Sequence, residues 1–573
     1  MKAMPRLVRR PPAVASSGWP DGFPALLARL YAARGAIDAD HARPRLANLL
    51  PPHLMGGLDA ATALLAEAME HDRHIVVVGD FDCDGATACA VGVRGLRYLG
   101  ARHVSYAVPN RIVHGYGLSP SLVEALATLK PDLLVTVDHG IACHAGVAAA
   151  KERGWKVLVT DHHLPGDSLP PADAIVDPNV PGDAFPSKSL AGVGVMFYVL
   201  LALRKHLRDQ GRFADGEPDL SQLLDLVAVG TVADLVPLDA NNRALVGAGL
   251  RRLRAGQGCA GLRALVEVAR RDASRLTASD IGYAIGPRIN AAGRLEDMAL
   301  GIECLLTDDL AQAREIAATL NEINGERRAV QQQMTDEAEH VLATLALGED
   351  VGGRVAVCFF DAAWHPGVVG LVASKMKERL HRPVIAFAPA EPGSDRLRGS
   401  ARSIPGFHMR DALADVAARH PGLIERFGGH AMAAGLSLPL AALPAFERAF
   451  ADHAARCLTA EMLQAEIISD GELTIGELDR DHAELLRDGG PWGQGFPEPQ
   501  FDGEFEVLNA RVIGERHLKL ELGLGGLRLN AIHFGGWDGQ APTGRIRIAY
   551  RLEPDDFRGG SAVQLVVVHR ESA

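Results

Sequence analysis

The sequence predicts a multidomain α/β protein: a parallel-sheet domain, a long connecting helix, a second α/β module and a small C-terminal β-barrel or sandwich. Three observations predict it. Short Val- and Ile-rich runs alternate with helical stretches between residues 75 and 180. One amphipathic pattern runs from Leu310 to Leu345, and period-two alternation takes over beyond residue 500. A chain of 573 residues is also too long for one hydrophobic core, which calls for three or four domains.

Taken in order, the opening "MKAMPRLVRRPPAVASSG" is basic, lacks the apolar run of a signal peptide and reads as a flexible arm. "HIVVVGD", "HVSYAVP", "DLLVTVD", "KVLVTD" and "AIVD" read as strands, with helices such as "SLVEALATL" between them. Near-continuous apolar strands alternating with helices mean a parallel sheet covered on both faces. "AGVGVMFYVLLAL" at 191–203 is too short to span a membrane and reads as a buried helix. The pattern from Leu310 to Leu345 is one long helix or a broken pair, with Gly325 as the weak point. "RVAVCFF", "PVIAFAPA" and "RGSARSI" supply strands of the second module, and a helix begins near "PGVVGLVASKMKERL". "GGPWGQGFPEPQF" marks a boundary, after which "HLKLEL", "LRLNAIHF", "RIRIAYRL" and "AVQLVVVH" alternate as short strands.

Composition narrows the function. A net charge of −12 argues against wholesale duplex binding but leaves room for a local basic track. Seven cysteines without a CxxC pair argue against a zinc ribbon or a disulfide framework and fit a reducing cytoplasm. Cys83 reads as a small filler.

The chemistry concentrates in "VVVGDFDCDGATA", residues 76–88, where Asp80, Asp82 and Asp84 crowd together. Asp80, Asp138 and Asp161 each stand at the carboxyl end of an expected strand, where parallel sheets bind ligands. Singly, such acids cap helices or line solvated loops. Gathered with His162 and His163, they read as a metal site, and oxygen ligands with an occasional imidazole suit Mn²⁺ or Mg²⁺. Two such ions sharing a carboxylate can clamp a phosphate ester. His139 is read as a loop histidine without a role.

"DFDCDG", then "VDHG", then "TDHH" resembles the motif series of the DHH phosphoesterase superfamily, and "VAVGTVADLVPLDANNR" resembles its fourth acidic motif. "VPNRIVHGYGLS", "GPRINAAGRLED", "SARSI" and "FGGHAMAAGLSL" resemble the RecJ exonucleases within it, over nearly the whole chain from about residue 20. The resemblance implies an N-terminal extension (1–50), a DHH domain (51–305), a connecting helix (306–348), a DHHA1 domain (349–455) and a linker with an OB-type barrel (456–573). It implies a 5′→3′ exonuclease specific for single-stranded DNA that releases 5′-mononucleotides with two Mn²⁺ or Mg²⁺ ions, in DNA recombination and repair.

Carried over by motif, Asp82, Asp84, Asp138, His162 and Asp234 match metal ligands, with Asp138 bridging. Asp80 is either a further ligand or an acceptor behind them, and Asp161 is expected to orient His162. His163 and His430 are expected at the substrate phosphate, catalytic together with Asp138. Substrate groups are Arg111, Arg288, Asn290, Arg294, Ser400, Arg402, Gly428 and Gly429. The arginines are candidates for a terminal 5′-phosphate pocket, at least one of them being structural and paired with a carboxylate such as Glu296. The "GGH" at 428–430 is expected at a helix start, its amides open to an anion. In the barrel, Arg511, Arg516, Lys519, Arg528, His533, Phe534 and Trp537 are available to track a strand.

The resemblance further implies a cytoplasmic monomer without membrane attachment. Its partners would be single-stranded DNA, a single-strand-binding protein and a RecQ-type helicase. The competing reading is a DHH-type oligoribonuclease or bisphosphonucleotide phosphatase for short substrates. Those lack the N-terminal extension and the barrel. A relative that only binds DNA would have lost metal ligands, and all the expected acids are present.

Overall fold

The computed structural model describes residues 5–11, 18–110, 114, 116–214, 216–346, 355–556 and 559–572. The chain divides into two units, Arg10–Asn324 with Ser469–Ala573, and Met1–Arg9 with Gly325–Ile468.

The larger unit is organised by five parallel strands: β1 (Ile75–Val78), β2 (Val104–Ala107), β3 (Leu133–Val137), β4 (Lys156–Thr160) and β5 (Ala174–Val176). Their order is β2-β1-β3-β4-β5. Every residue of β1 and β3 is buried, which explains runs of Val and Leu without polar alternation. The strand order reverses between β1 and β3, so a crevice opens beyond their carboxyl ends. Helices α1 (Cys83–Tyr98), α2 (Gly192–Asp209) and α3 (Leu224–Ala233) pack on one another beside this edge. The expected buried helix is α2, which continues past residue 203 to Asp209. Further on lie α4 (Gly286–Leu295) and α5 (Leu310–Ala346). Helix α5 is unbroken, and the division between the units falls within it at Asn324 and Gly325.

The smaller unit holds β6 (Val357–Phe360), α6 (Val369–Leu380), β7 (Val384–Pro389), β8 (Arg396–Arg402), β9 (Arg426–Gly429) and β10 (Ala433–Pro439). The sheet order is β9-β10-β8-β7-β6. Leu397, Gly399 and Ala401 of β8 and Ala434, Leu436 and Leu438 of β10 alternate onto the buried face. Strands β11 (Phe501–Ile513), β12 (His517–Leu524), β13 (Leu527–His533), β14 (Gly544–Pro554) and β15 (Val563–Ser572) close the C-terminal barrel in the order β11-β12-β13-β15-β14. Among the described residues, no helix is long and apolar enough to cross a membrane.

Two expectations are corrected and one is refined. The N-terminal arm is not wholly free: Arg6–Arg9 pairs with Glu466–Ser469, and Arg10 Nε meets Asp470 at 3.1 Å. Residues 6–9 thus form a two-stranded sheet with a segment 460 positions further along the chain. The Gly/Pro stretch near residue 490, read as a boundary, does precede the first barrel strand at Phe501, but it is a packed cover and not a mere spacer. Trp492 and Phe496 stack on each other at 5.4 Å and meet Tyr31, whose hydroxyl donates to Gly489 O at 2.6 Å. Finally, Gly428 and Gly429 do not start a helix; they end strand β9 in a hairpin with β10. Gly429 has φ +136°, and a Cβ there would lie 2.5 Å from Ala433 O, so the hairpin requires its glycine.

Candidate metal centre and substrate groups

The acidic turn follows β1 directly. Asp82 caps α1, its Oδ1 accepting from Gly85 N at 3.0 Å. Gly85 lets the first turn of α1 close over Asp80, since a Cβ would sit 2.6 Å from Asp80 N. Asp84 points the other way and caps a second helix. Its carboxylate accepts from Gly192 N at 2.6 Å and Val193 N at 2.9 Å, the first amides of α2. The positive end of α2 therefore faces this carboxylate. A Cβ on Gly192 would overlap Asp138 at 2.5 Å, so the same helix start also presses on the end of β3.

Asp138 turns the chain out of β3 with φ +64°, a left-handed conformation costly for a residue with a side chain. It is 2 % exposed, and its buried Oδ1 receives no hydrogen bond. His162 Nε2 stands 3.1 Å from that oxygen and 3.6 Å from Asp234 Oδ2. Asp234 ends α3, where the helix dipole disfavours an anion. Three donor groups result, each drawn within 4.8 Å: Asp80, Asp82 and Asp138; Asp84, His162 and Asp234; Asp138, His162 and His163.

Burial first, and then the charges of its neighbours, push Asp138 and Asp234 well above the carboxylate range, and burial with Asp82 lifts Asp84 to about 7. Carboxylates so placed ionise together only around cations. The orphaned Asp138 oxygen and a donor set of oxygens with one or two imidazoles fit Mn²⁺ or Mg²⁺.

Asp161 holds the ring of His163 rather than standing ready only for His162. Its Oδ1 accepts from His163 Nδ1 at 2.7 Å and from the backbone N–H of His162 (2.7 Å) and His163 (3.1 Å), while Oδ2 accepts from Ile141 N at 2.9 Å. Burial opposes charge on both partners, but their hydrogen bond outweighs it. Asp161 lies well below the carboxylate range and His163 rises to about 9. His139 stands in the loop after β3, as read from the sequence, and is fully buried there. Its Nε2 faces Val78 O at 3.1 Å, and burial lowers its pKa to about 4.

The remaining expected residues separate. Asn290 Oδ1 accepts from Cys83 N at 2.8 Å, so its side chain braces the acidic turn. Arg288, 8 % exposed, donates to Ala284 O and to Asn321 Oδ1 at 2.5 and 3.1 Å, so it ties α4 to its own preceding turn and to α5. Arg294 lies half-buried on the last turn of α4. In the smaller unit, Arg402 Nη1 donates to Ser400 Oγ at 3.0 Å and its Nε to Ser374 Oγ at 3.1 Å. Gly370 at the start of α6 keeps room for both, since its Cβ would come within 3.0 Å of Ser400 Oγ and Arg402 Nη2. His430 is exposed at the β9–β10 turn. Arg111 lies outside the described residues.

Sequence reasoning missed Asp177 and Asn179. Asp177 ends β5 as Asp138 ends β3, and is 1 % exposed. Asn179 Nδ2 donates to His162 O at 2.6 Å and so anchors a donor loop. The signal was the strand-end position of "AIVDPN", which matches the other aspartates.

Models of the DHH family N-terminal domain, the DHHA1 domain and the RecJ OB domain match residues 74–231, 352–456 and 469–569. The chain is 50% identical to the single-stranded-DNA-specific exonuclease RecJ of Dickeya dadantii, over 99% of both chains. It belongs to the RecJ family. RecJ of Escherichia coli is 48% identical over 96% of each chain. The crystal structure of Thermus thermophilus RecJ in complex with Mn²⁺ superposes with a TM-score of 0.78 at 33% identity, covering 96% of this chain and 76% of that one. The Mg²⁺ complex of the same RecJ gives 0.74 at 31% identity, covering 96% and 74%.

Proposed function

We propose that this chain degrades single-stranded DNA exonucleolytically from the 5′ end and releases 5′-mononucleotides. The observation that carries the reading is the donor cluster at the strand reversal, where Asp138 and His162 are each shared between groups. Divalent ions held there supply a Lewis acid for the phosphate and a hydroxide at neutral pH. Asp80, Asp82 and Asp138 would hold one ion, and Asp84, His162 and Asp234 the other.

The chain's own groups do the rest. Amides of Gly192 and Val193 fix Asp84, and Asn179 fixes the His162 backbone, so the donors are set before substrate arrives. Asp161 keeps His163 protonated near neutral pH, so Nε2 of that ring can donate to a phosphate oxygen. Ser400 and Arg402 offer a hydroxyl and a guanidinium to the terminal 5′-phosphate, with Arg288, Arg294 and His430 as further candidates at the strand. Work beside a single-strand-binding protein and a RecQ-type helicase, as a cytoplasmic monomer in recombination and repair, belongs to the same proposal.

A single-stranded DNA with distinguishable labels at its ends tests it in Mn²⁺ or Mg²⁺. Release of the 5′ label as mononucleotide, with the 3′ label kept in shortening chains and duplex left intact, is the expected result. Survival of the long strand while dinucleotides are cleaved would overturn it.

A further inference from the structure

Strand β8 reads Arg396-Leu397-Arg398-Gly399-Ser400-Ala401-Arg402, and its burial alternates so that the four polar residues share the face opposite the core. Cross-strand register extends this face. Arg398 lies opposite Ser437 of β10, which lies opposite Arg426 of β9. The next row toward the hairpin is Ser400, Gly435 and Gly428, so the floor there carries almost no side chain. Nothing lies within 4 Å of a Cβ built on Gly428.

Arg398, Ser437 and Arg426 border a cavity of about 620 Å³ together with Arg396, Glu391 and Glu425. Arg396 is engaged by Glu425 at 3.4 Å. Among the described residues, the side chains of Arg398, Arg426 and Ser437 make no hydrogen bond or ion pair. Two guanidinium groups on β8 and β9 with the hydroxyl of Ser437 on β10 between them, neither engaged by the Glu391 and Glu425 carboxylates at the cavity border, form a donor set for a tetrahedral oxyanion. The row stands two residues from Ser400, roughly 6.7 Å along the strand.

We propose that Arg398, Ser437 and Arg426 form a phosphate-binding site across strands β8, β10 and β9 of this sheet, separate from the Ser400 and Arg402 pair beside α6. The ligand is a phosphate of a nucleic acid, taken either from the DNA strand or from a released mononucleotide. Its source rests on the single-strand reading above; the anion chemistry does not.

Binding of a 5′-phosphorylated oligothymidylate and of dTMP to the full chain, measured in EDTA across a salt series, tests the site. R398A/R426A is expected to weaken the ligand that uses it by about tenfold. The slope of log K against log salt should become shallower by about 0.7 for the one phosphate lost. Loss for the oligomer alone assigns the site to the strand, and loss for dTMP as well assigns it to the nucleotide. S437A removes a donor without charge and should weaken binding with the slope intact. R398K/R426K should keep the slope, which separates lost charge from lost fold. Unchanged affinity for both ligands in R398A/R426A and in S437A overturns the proposal. If R398A/R426A loses dTMP binding while the parent leaves single-stranded DNA intact in a parallel assay with Mn²⁺, the phosphate site stands and the exonuclease reading falls.

Discussion

Gly293→Ala is the sharpest probe of how the acidic turn is held. Gly293 lies in α4, and a Cβ there would stand 2.0 Å from Phe81 O, 2.9 Å from Phe81 C and 2.8 Å from Met298 Cε. Real Cβ contacts do not come closer than 3.0 Å, so helix and turn must separate by about 1 Å. Helix α4 has little freedom to retreat, because Arg288 ties it to Asn321 on α5 and Asn290 ties it to Cys83. The displacement therefore falls on Phe81 and the flanking Asp80 and Asp82. Misplacement of about 1 Å costs catalysis on the order of 10²-fold. Folding is affected far less: overpacking costs about 1–3 kcal/mol, and alanine in a helix returns about 1 kcal/mol of it.

The comparison is Gly325→Ala in α5, where nothing lies within 4 Å of the added Cβ. It should stabilise by up to about 1 kcal/mol and leave kcat alone. Both variants would be assayed by nucleotide release at saturating metal and DNA, and by urea unfolding. Parental kcat in Gly293→Ala refutes the argument, as does an equal loss in Gly325→Ala.

Tyr31→Phe removes the hydroxyl that donates to Gly489 O and accepts from Arg43 Nε at 2.7 Å; urea unfolding should show a loss of about 1–2 kcal/mol with kcat preserved. Asp161→Asn turns an amide NH2 toward N–H groups that now donate to a carboxylate, and deprives His163 Nδ1 of its charged partner; kcat should fall by about 10–100-fold, and the urea midpoint should fall as well. Asp173 meets Lys151 and Lys156 and accepts from Val157 N; burial raises its pKa, but the Lys151 hydrogen bond and the others outweigh it, so the pKa is lowered. A lowered carboxyl contributes stability above its unfolded pKa and loses it as pH falls through the folded value. Asp173→Asn should therefore cost about 1 kcal/mol or less at pH 7, a difference that vanishes on acidification in pH-dependent urea titrations.

What the sequence discloses and what it hides divide along a physical line. β1 and β3 are legible because strands buried on both faces admit only apolar residues, and an aspartate ending such a strand stands out. Cys83 was legible as filler for a similar reason, and it is 1 % exposed. The closed barrel followed from period-two alternation. The hairpin at Gly428 and Gly429 was not legible. Glycine suits a helix start and a tight hairpin equally, and only the pairing with Ala433–Pro439 decides between them.

The part of the site hardest to read is what holds its acids apart. Asp84 is fixed by amides of residues 192 and 193, and Cys83 by Asn290, partners more than a hundred residues away. A backbone amide carries no residue signature, so "AGVGV" shows only a buried helix until its first turn is seen against Asp84 and Asp138. Asn290 was expected at the substrate because polar residues in a functional motif look alike whether they touch ligand or turn. Its Oδ1 on the Cys83 amide adds a task that the sequence does not show: the motif containing Asn290 and Gly293 braces the acidic turn, and losing it should disturb metal binding as well as DNA binding.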